Sequence, residues 1–144
     1  MDIKEIDKNL LGQLLPLLHK MHEESGLKLP AIDDAKVLKS LASCDVIFVA
    51  EDEGRYAGLI ALAEGEHWFS KSRFMGDLVF YVDSDWRHMQ IAVKLLQSAQ
   101  NCAKMKGLPL MLAVVDGNDV ERKDAFYRRR GFKNAGGIYV WNMG

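Results

Sequence analysis

The spacing of apolar positions changes character several times along the chain. Leu10, Leu11, Leu14, Leu15, Leu18 and Met21 recur at helical intervals after Asp7, a side chain suited to capping a helix N-terminus. Pro16 falls inside this pattern and lacks an amide to bond one turn back, so it bends or divides the helix, which Ser25 and Gly26 end. Residues 31–42 predict a second, shorter helix, with Ala35, Leu38 and Leu41 on one side and Asp33 or Asp34 near its start. From residue 45 the period becomes that of strands. Residues 45–50 read as a short buried strand, residues 51–55 as a charged turn around Gly54, and residues 56–63 as the returning arm of a hairpin. Residues 64–73 form a polar and aromatic connection, and residues 77–82 another strand. Residues 90–106 predict a long amphipathic helix that buries Ile91, Leu95, Ala99 and Cys102 and stops at Gly107. The apolar run at 110–115 is expected to be a central strand covered on both faces. Residues 120–130 predict a helix closed by Gly131, and residues 132–134 with 138–141 a final hairpin across Ala135, Gly136 and Gly137.

The expected order is therefore α-α-β-β-β-α-β-α-β-β, a mixed α/β (α+β) sheet in which strand 77–82, helix 90–106 and strand 110–115 make one right-handed crossover. At 144 residues, with no repeat, low-complexity stretch or long linker, residues 1–144 read as a single domain. A composition 49% hydrophobic and 27% charged argues against a disordered chain. No apolar run approaches the length of a membrane span, and the chain does not open like a signal peptide. Cys44 and Cys102 are too few and too far apart for a disulfide framework or metal cage, so a reducing cytoplasm is the simplest home. His19 and His22 share a helix, but their spacing alone does not make a metal site, and none is expected. The formal charge of −1 disfavours a nucleic-acid partner. It conceals an asymmetry: residues 1–70 carry seven basic against 13 acidic side chains, residues 71–144 twelve against seven. Such a division suits an anionic ligand on one side and a cationic one on the other, or reflects chance segregation of solvated faces.

The crossover carries the chemistry. A strand that runs straight into a helix N-terminus presents free amides and the positive end of a dipole, together an anion site. Here the junction reads Tyr81-Val82-Asp83-Ser84-Asp85-Trp86-Arg87-His88-Met89-Gln90-Ile91-Ala92. It resembles the pyrophosphate loop of the GNAT superfamily of N-acyltransferases, in which a strand ending V-D-P-E leads into R-G-x-G-I-G or Q/R-x-x-G-x-G/A; Val82, Asp83, Arg87, Ile91 and Ala92 match. Downstream, Ala125-Phe126-Tyr127-Arg128-Arg129-Arg130-Gly131-Phe132 resembles the family's A-x-x-F-Y-x-x-x-G-F stretch, with Lys123 in the place of its alanine. His88 and Gln90 stand where the family usually has glycine, Ser84 where it has proline, and Val120 where many members carry asparagine.

The resemblance implies the GNAT fold, with strands 77–82 and 110–115 splayed apart, and transfer of an acetyl or other acyl group from acetyl-coenzyme A to a primary amine by direct attack in a ternary complex. It implies that the amides near Phe80, Tyr81 and Val82 receive the pantetheine arm and thioester carbonyl, and that Arg87, His88, Met89, Gln90, Ile91 and Ala92 hold the pyrophosphate. It also implies that Tyr127 returns a proton to the departing thiolate and that Asp77 serves as base, with Glu64, Glu66 and His67 as other candidates near the hairpin exit. Tyr127 has an alternative role as a helix-on-sheet packing residue with its hydroxyl in water. Arg128–Arg130 and Lys94 are candidates for a phosphate, although three successive helical residues point in different directions. His67, Trp68 and Phe69 either line an acceptor slot or plug the end of the sheet. The acceptor is expected to be a small-molecule or peptide amine, and edge strands together with Trp141 are compatible with a homodimer. The competing reading is a catalytically impaired GNAT-fold module that binds coenzyme A or a protein. A nucleic-acid-binding face at Arg128–Arg130 is weaker still, because aromatics do not interleave with the basic residues.

Overall fold

A computed structural model of the chain describes residues 1–114 and 117–143, apart from the side chains of His88 and Met89. Its elements are β1 (Asp2–Glu5), α1 (Leu15–Glu24), α2 (Asp34–Ala42), β2 (Val46–Asp52), β3 (Arg55–Glu66), β4 (Arg73–Val82), α3 (Ile91–Lys106), β5 (Leu110–Met111) and α4 (Val120–Arg128). One five-stranded sheet runs in the order β1-β2-β3-β4-β5, antiparallel except for the parallel β4–β5 pair.

The local signals act as their chemistry requires. The Asp7 carboxylate accepts from the Asn9 amide and opens a 3-10 turn over Lys8–Leu14; the chain becomes α-helical where Pro16 occupies the first turn of α1. Asp33 caps α2 by accepting from the Lys36 amide. Gly107, at φ 67°, terminates α3. Alternation along the strands divides the core into two. Ile47, Val49, Leu59, Ala61 and Tyr81 face α1 and α2 with Leu14, Leu17 and Leu41. Val46, Ala50, Ile60, Leu62, Met75 and Val82 face α3 through Ile91, Leu95 and Ala99. Each fully buried aliphatic side chain contributes roughly 1.5–3 kcal/mol.

Gly58 shows how closely these layers meet. It lies opposite Val82, and a Cβ there would stand 2.8 Å from the Tyr81 carbonyl oxygen and 3.2 Å from Leu95 Cδ1.

Three expectations need correction. Residues 2–5 form a strand that the sequence pattern did not reveal, paired to β2 from Asp2↔Glu51 to Glu5↔Phe48. The strand expected at 110–115 is reduced to Leu110–Met111, with Val115 outside the described residues, and it is an edge with Met111 50% exposed rather than a strand covered on both faces. The physical reason is that the Ala113 amide donates to Asp77 Oδ1 (3.2 Å) instead of to a neighbouring strand. Residues 132–134 and 138–141 form no hairpin. The Gly136 amide closes a local turn on Asn134 Oδ1, Gly136 has φ 151°, and Tyr139 and Trp141 are 98% and 91% exposed.

Candidate active site

β4 carries the central feature. Against β3 its register shifts: Ala61 pairs with Val79 but Leu62 with Asp77, leaving Leu78 as the extra residue of a bulge. A bulge bends a strand and increases its twist. Against β5 the parallel pairing covers Met75↔Leu110 and Gly76↔Met111, with the Met75 amide donating to the Pro109 carbonyl (2.8 Å). The parallel pairing therefore ends after Gly76↔Met111, where β5 itself ends, and the outer edge of β4 from Leu78 to Val82 is left without a strand among the described residues.

Asp77 follows the last paired residue of β4 on that edge. Burial pushes its carboxyl up from the usual range, and the amides of Ala113 and of Asp77 itself offset part of that. Its cross-strand partner Leu62 belongs to the α3-facing core, as do Met75, Phe80 and Val82. Tyr127 approaches the same face. Its ring meets Phe80 edge-on with centroids 6.5 Å apart, and it packs on Phe126 and Phe132 at 5.5 Å each. Asp77, Phe80 and Tyr127 therefore share one face of the sheet beside its open edge. Tyr81 faces the other side, towards α1 and α2. Its hydroxyl is buried, and burial, then the neighbouring Glu24, pushes the phenol well above its ordinary pKa.

The strand-to-helix junction follows. Asp83 donates its amide to the Ala57 carbonyl, and its carboxylate accepts from the Asp85 amide, opening a 3-10 turn over Ser84–Met89. Burial raises the Asp83 carboxyl, but Lys20 and the Asp85 amide outweigh it and hold the group below the usual range. Gln90 then adopts the left-handed conformation, φ 58° and ψ 22°, and α3 begins. This is the position at which the resembled motif has glycine, and the geometry supplies the reason: a residue without Cβ enters that region freely. α3 has no side-chain cap, and its first amides are the free donors of a helix start. Ile91 and Ala92 turn their side chains to the core, so what they can offer a ligand is backbone. His88 and Met89 belong to the turn, but their side chains lie outside the described residues.

Arg87 is engaged within the protein. Its Nε donates to the Val82 carbonyl (3.0 Å), its guanidinium lies 5.6 Å from the Tyr81 ring centroid, and one terminal nitrogen donates to Glu24 Oε2 (2.8 Å). Lys20, one turn before Glu24 on α1, meets Asp83 at 2.5 Å. Sequence reasoning missed this pairing of α1 with the junction. Its available signal was the i, i+4 spacing of Lys20 and Glu24, which places both on one helix face.

Other candidates separate. Arg128 pairs with Asp124, Arg129 is exposed, and Arg130 stacks over Phe126 at 4.0 Å, so the three arginines serve no common ligand. Glu64 pairs with Lys106 and Arg73. Trp68, 96% exposed, closes no opening, and His67 stacks on Phe69 and meets Phe74 at a tilt. His19 is paired with Asp34. Among the described residues no three His, Cys, Asp or Glu side chains are grouped to hold a metal, and no helix is long and apolar enough to cross a membrane. A groove of about 370 Å³ between α3 and the segment after α4, lined by Ala103, Lys104, Leu108, Leu110, Phe132 and Lys133, touches β5 through Leu110 but includes neither Asp77, Phe80 and Tyr127 nor the Asp83–Gln90 junction.

A five-stranded mixed sheet with one short parallel pair, an unpaired outer edge on β4 and a strand-to-helix turn into α3 defines the architecture. Comparison with known proteins gives that architecture its family: the model of the GNAT acetyltransferase domain matches residues 43–134, and the chain belongs to that family. No curated protein sequence matches it. Among solved structures, a probable acetyltransferase superposes with a TM-score of 0.74 at 23% identity, covering 100% of this chain and 97% of that one. An aminoglycoside acetyltransferase from an uncultured soil metagenomic sample gives 0.72 at 21%, covering 97% and 95%. A ribosomal-protein-alanine N-acetyltransferase from Brucella melitensis biovar Abortus 2308 gives 0.71 at 16%, covering 99% of each chain. These likenesses establish the fold over nearly the whole chain, and the family is one of acetyltransferases.

Proposed function

We propose that the protein is an N-acetyltransferase that uses acetyl-coenzyme A and a primary amine, small-molecule or peptide, in a ternary complex. The observation that carries this reading is the unpaired outer edge of β4 from Leu78 to Val82, which leads through the Asp83–Gln90 turn into an α3 with no side-chain cap at Gln90. Acetyl-coenzyme A supplies the activated acetyl thioester and a thiolate leaving group.

The chain's own residues then have the following roles. The donor arm lies along the outer edge of β4 at Phe80, Tyr81 and Val82, and the amides of Phe80 and Val82, which point out from that edge, stabilise charge developing on the carbonyl oxygen, as an oxyanion hole does. The first amides of α3 and the segment from Arg87 through His88, Met89, Gln90 and Ile91 to Ala92 hold the diphosphate. Asp77, its proton affinity raised by burial, accepts the proton of the amine directly or through water. Tyr127, beside Phe80 on the same face, returns a proton to the thiolate. The neighbouring folds include enzymes named for aminoglycosides and for a ribosomal-protein alanine, so a cationic small molecule and a peptide amine are both within the reach of this architecture.

Isothermal titration with acetyl-coenzyme A, followed by a thiol-release assay over a panel of amines, tests the reading. Heat of binding with amine-dependent thiol release is expected; no heat at millimolar donor would remove the donor assignment. The engagement of Arg87 by Glu24 favours, as a second reading, a module that binds without turnover. Under that reading the titration gives heat and the panel gives no thiol.

A further inference from the structure

α1 and the strand-to-helix junction share one guanidinium. Arg87 is the cation of the junction, yet its terminal nitrogen lies 2.8 Å from Glu24 Oε2 at the last residue of α1. The Glu24 side chain is half-buried, 30% exposed, and sits against the hydroxyl of Tyr81, a neutral donor that brings no charge. The Glu24 main-chain carbonyl accepts from Asn118 Nδ2, and the end of a helix adds its own partial negative charge. If Arg87 leaves, the half-buried Glu24 carboxylate keeps the Tyr81 hydroxyl as a neutral donor but loses its cation, and another cation can take that place.

We propose that Glu24 is a donor-gated cation site. Arg87 occupies it in the donor-free protein, the donor's diphosphate takes Arg87 over, and the freed carboxylate then holds a positively charged group of the acceptor. This rests on the reading that the junction binds a diphosphate. A guanidinium satisfies two phosphate oxygens in a forked, charge-assisted contact. Against Glu24 it makes a single contact, with Nε spent on the Val82 carbonyl. Lys20 does not replace Arg87, because it is already paired with Asp83 and Asp85. The consequence is positive coupling between donor and cationic acceptor, and such coupling is reciprocal.

The test uses coenzyme A, which cannot transfer acetyl, and spermidine as the cationic probe, each titrated calorimetrically alone and in the presence of the other. In the wild-type protein coenzyme A should tighten spermidine binding by about fivefold or more. Arg87→Gln should bind spermidine at that tighter level without coenzyme A, and coenzyme A should add nothing further. Glu24→Gln should bind coenzyme A about two- to fivefold more tightly than wild type, since a competing ion pair is gone, and should bind spermidine weakly in both states. A merely structural ion pair predicts the reverse for Glu24→Gln, weaker coenzyme A binding with a lower melting temperature, and that result overturns the proposal. Absence of coupling in the wild type, which needs no variant, overturns it as well. Failure of the wild type to bind coenzyme A at all defeats the donor reading instead; the gain of spermidine affinity in Arg87→Gln then still decides whether Arg87 masks Glu24.

Discussion

Replacing Gln90 by glycine should stabilise this protein, an unusual outcome for a substitution that removes a side chain. Gln90 sits between the 3-10 turn and α3 at φ 58° and ψ 22°. For an L-residue with a Cβ the left-handed region costs about 1–2 kcal/mol. Glycine escapes that cost but loses more backbone freedom on folding, a term of roughly 0.5–1 kcal/mol in the opposite direction. The side chain is exposed and caps no helix, so no contact of consequence is lost. The net is about 1 kcal/mol in favour of glycine, or roughly 2–4 °C in Tm for a domain of this size. Thermal unfolding followed by circular dichroism measures it, with Gln90→Ala as the control: alanine keeps the Cβ, keeps the strain and should melt close to wild type. A Gln90→Gly protein that melts at or below the wild type, or an alanine variant that gains as much as glycine, would refute the claim that left-handed strain at this residue is the cause. The same substitution clears the approach to the α3 amides, so coenzyme A should bind more tightly, and calorimetry on the same samples reads that.

Asp77→Asn should lower kcat/KM by about 10²–10⁴-fold and remove the acid limb of its pH profile, a limb expected above the ordinary Asp value of about 3.9. Because burial raises the folded pKa of Asp77 above its unfolded value, its stability contribution is full at low pH and is lost as pH rises through the folded pKa; the Asn variant should not show that loss in urea midpoints collected from about pH 4 upward. Tyr127→Phe should cut kcat by about 10²-fold while keeping the ring contacts to Phe80, Phe126 and Phe132, so its stability should change by at most about 1 kcal/mol. Gly58→Ala should destabilise by about 1–3 kcal/mol in urea titration, since its Cβ meets the backbone oxygen of Tyr81 at 2.8 Å and cannot be relieved by turning a side chain.

The fold was legible wherever one local signal dominated. Asp7, Pro16, the Asp33–Asp34 pair and Gly107 mark helix boundaries, and the structure uses each of them there, choosing Asp33 of the pair as the cap. Apolar alternation located β2, β3 and β4, although β3 and β4 run further than the pattern suggested, to Glu66 and from Arg73. Polar strand ends of this kind are held by cross-strand pairs, here Arg73 with Glu64 and Glu66, which no single-strand pattern displays. β1 escaped for a related reason. Asp-Ile-Lys-Glu has one apolar residue, and what makes it a strand is the edge of β2 together with the Lys4–Glu51 pair. The converse error came from residues 138–141, four β-prone side chains in a row. Propensity makes a strand available, but pairing needs an edge in register, and the turn at Asn134–Gly136 does not deliver one.

The site was legible as a motif and opaque as a network, and the two halves have different physical origins. A motif survives in sequence because it solves a backbone problem: the turn after β4 must enter a left-handed residue before α3, and this remains true although Gln90 has replaced the glycine. The network is a matter of which charged side chains the fold brings together, and Glu24 and Arg87 are 63 residues apart in the chain. That pairing changes what the charge asymmetry means. An acidic N-terminal half and a basic C-terminal half could have been two independent solvated faces, yet Lys20–Asp83 and Glu24–Arg87 cross between them in opposite senses, a cation and an anion from each side. Two crossed pairs hold α1 against the junction in one register, whereas two pairs of the same sense would only attract. A ligand that carries a diphosphate competes with one of them and leaves the other intact. α1 is then still tied through Lys20 while Glu24 becomes free, which is the condition under which donor binding can create an acceptor site without loosening the helix that bears it.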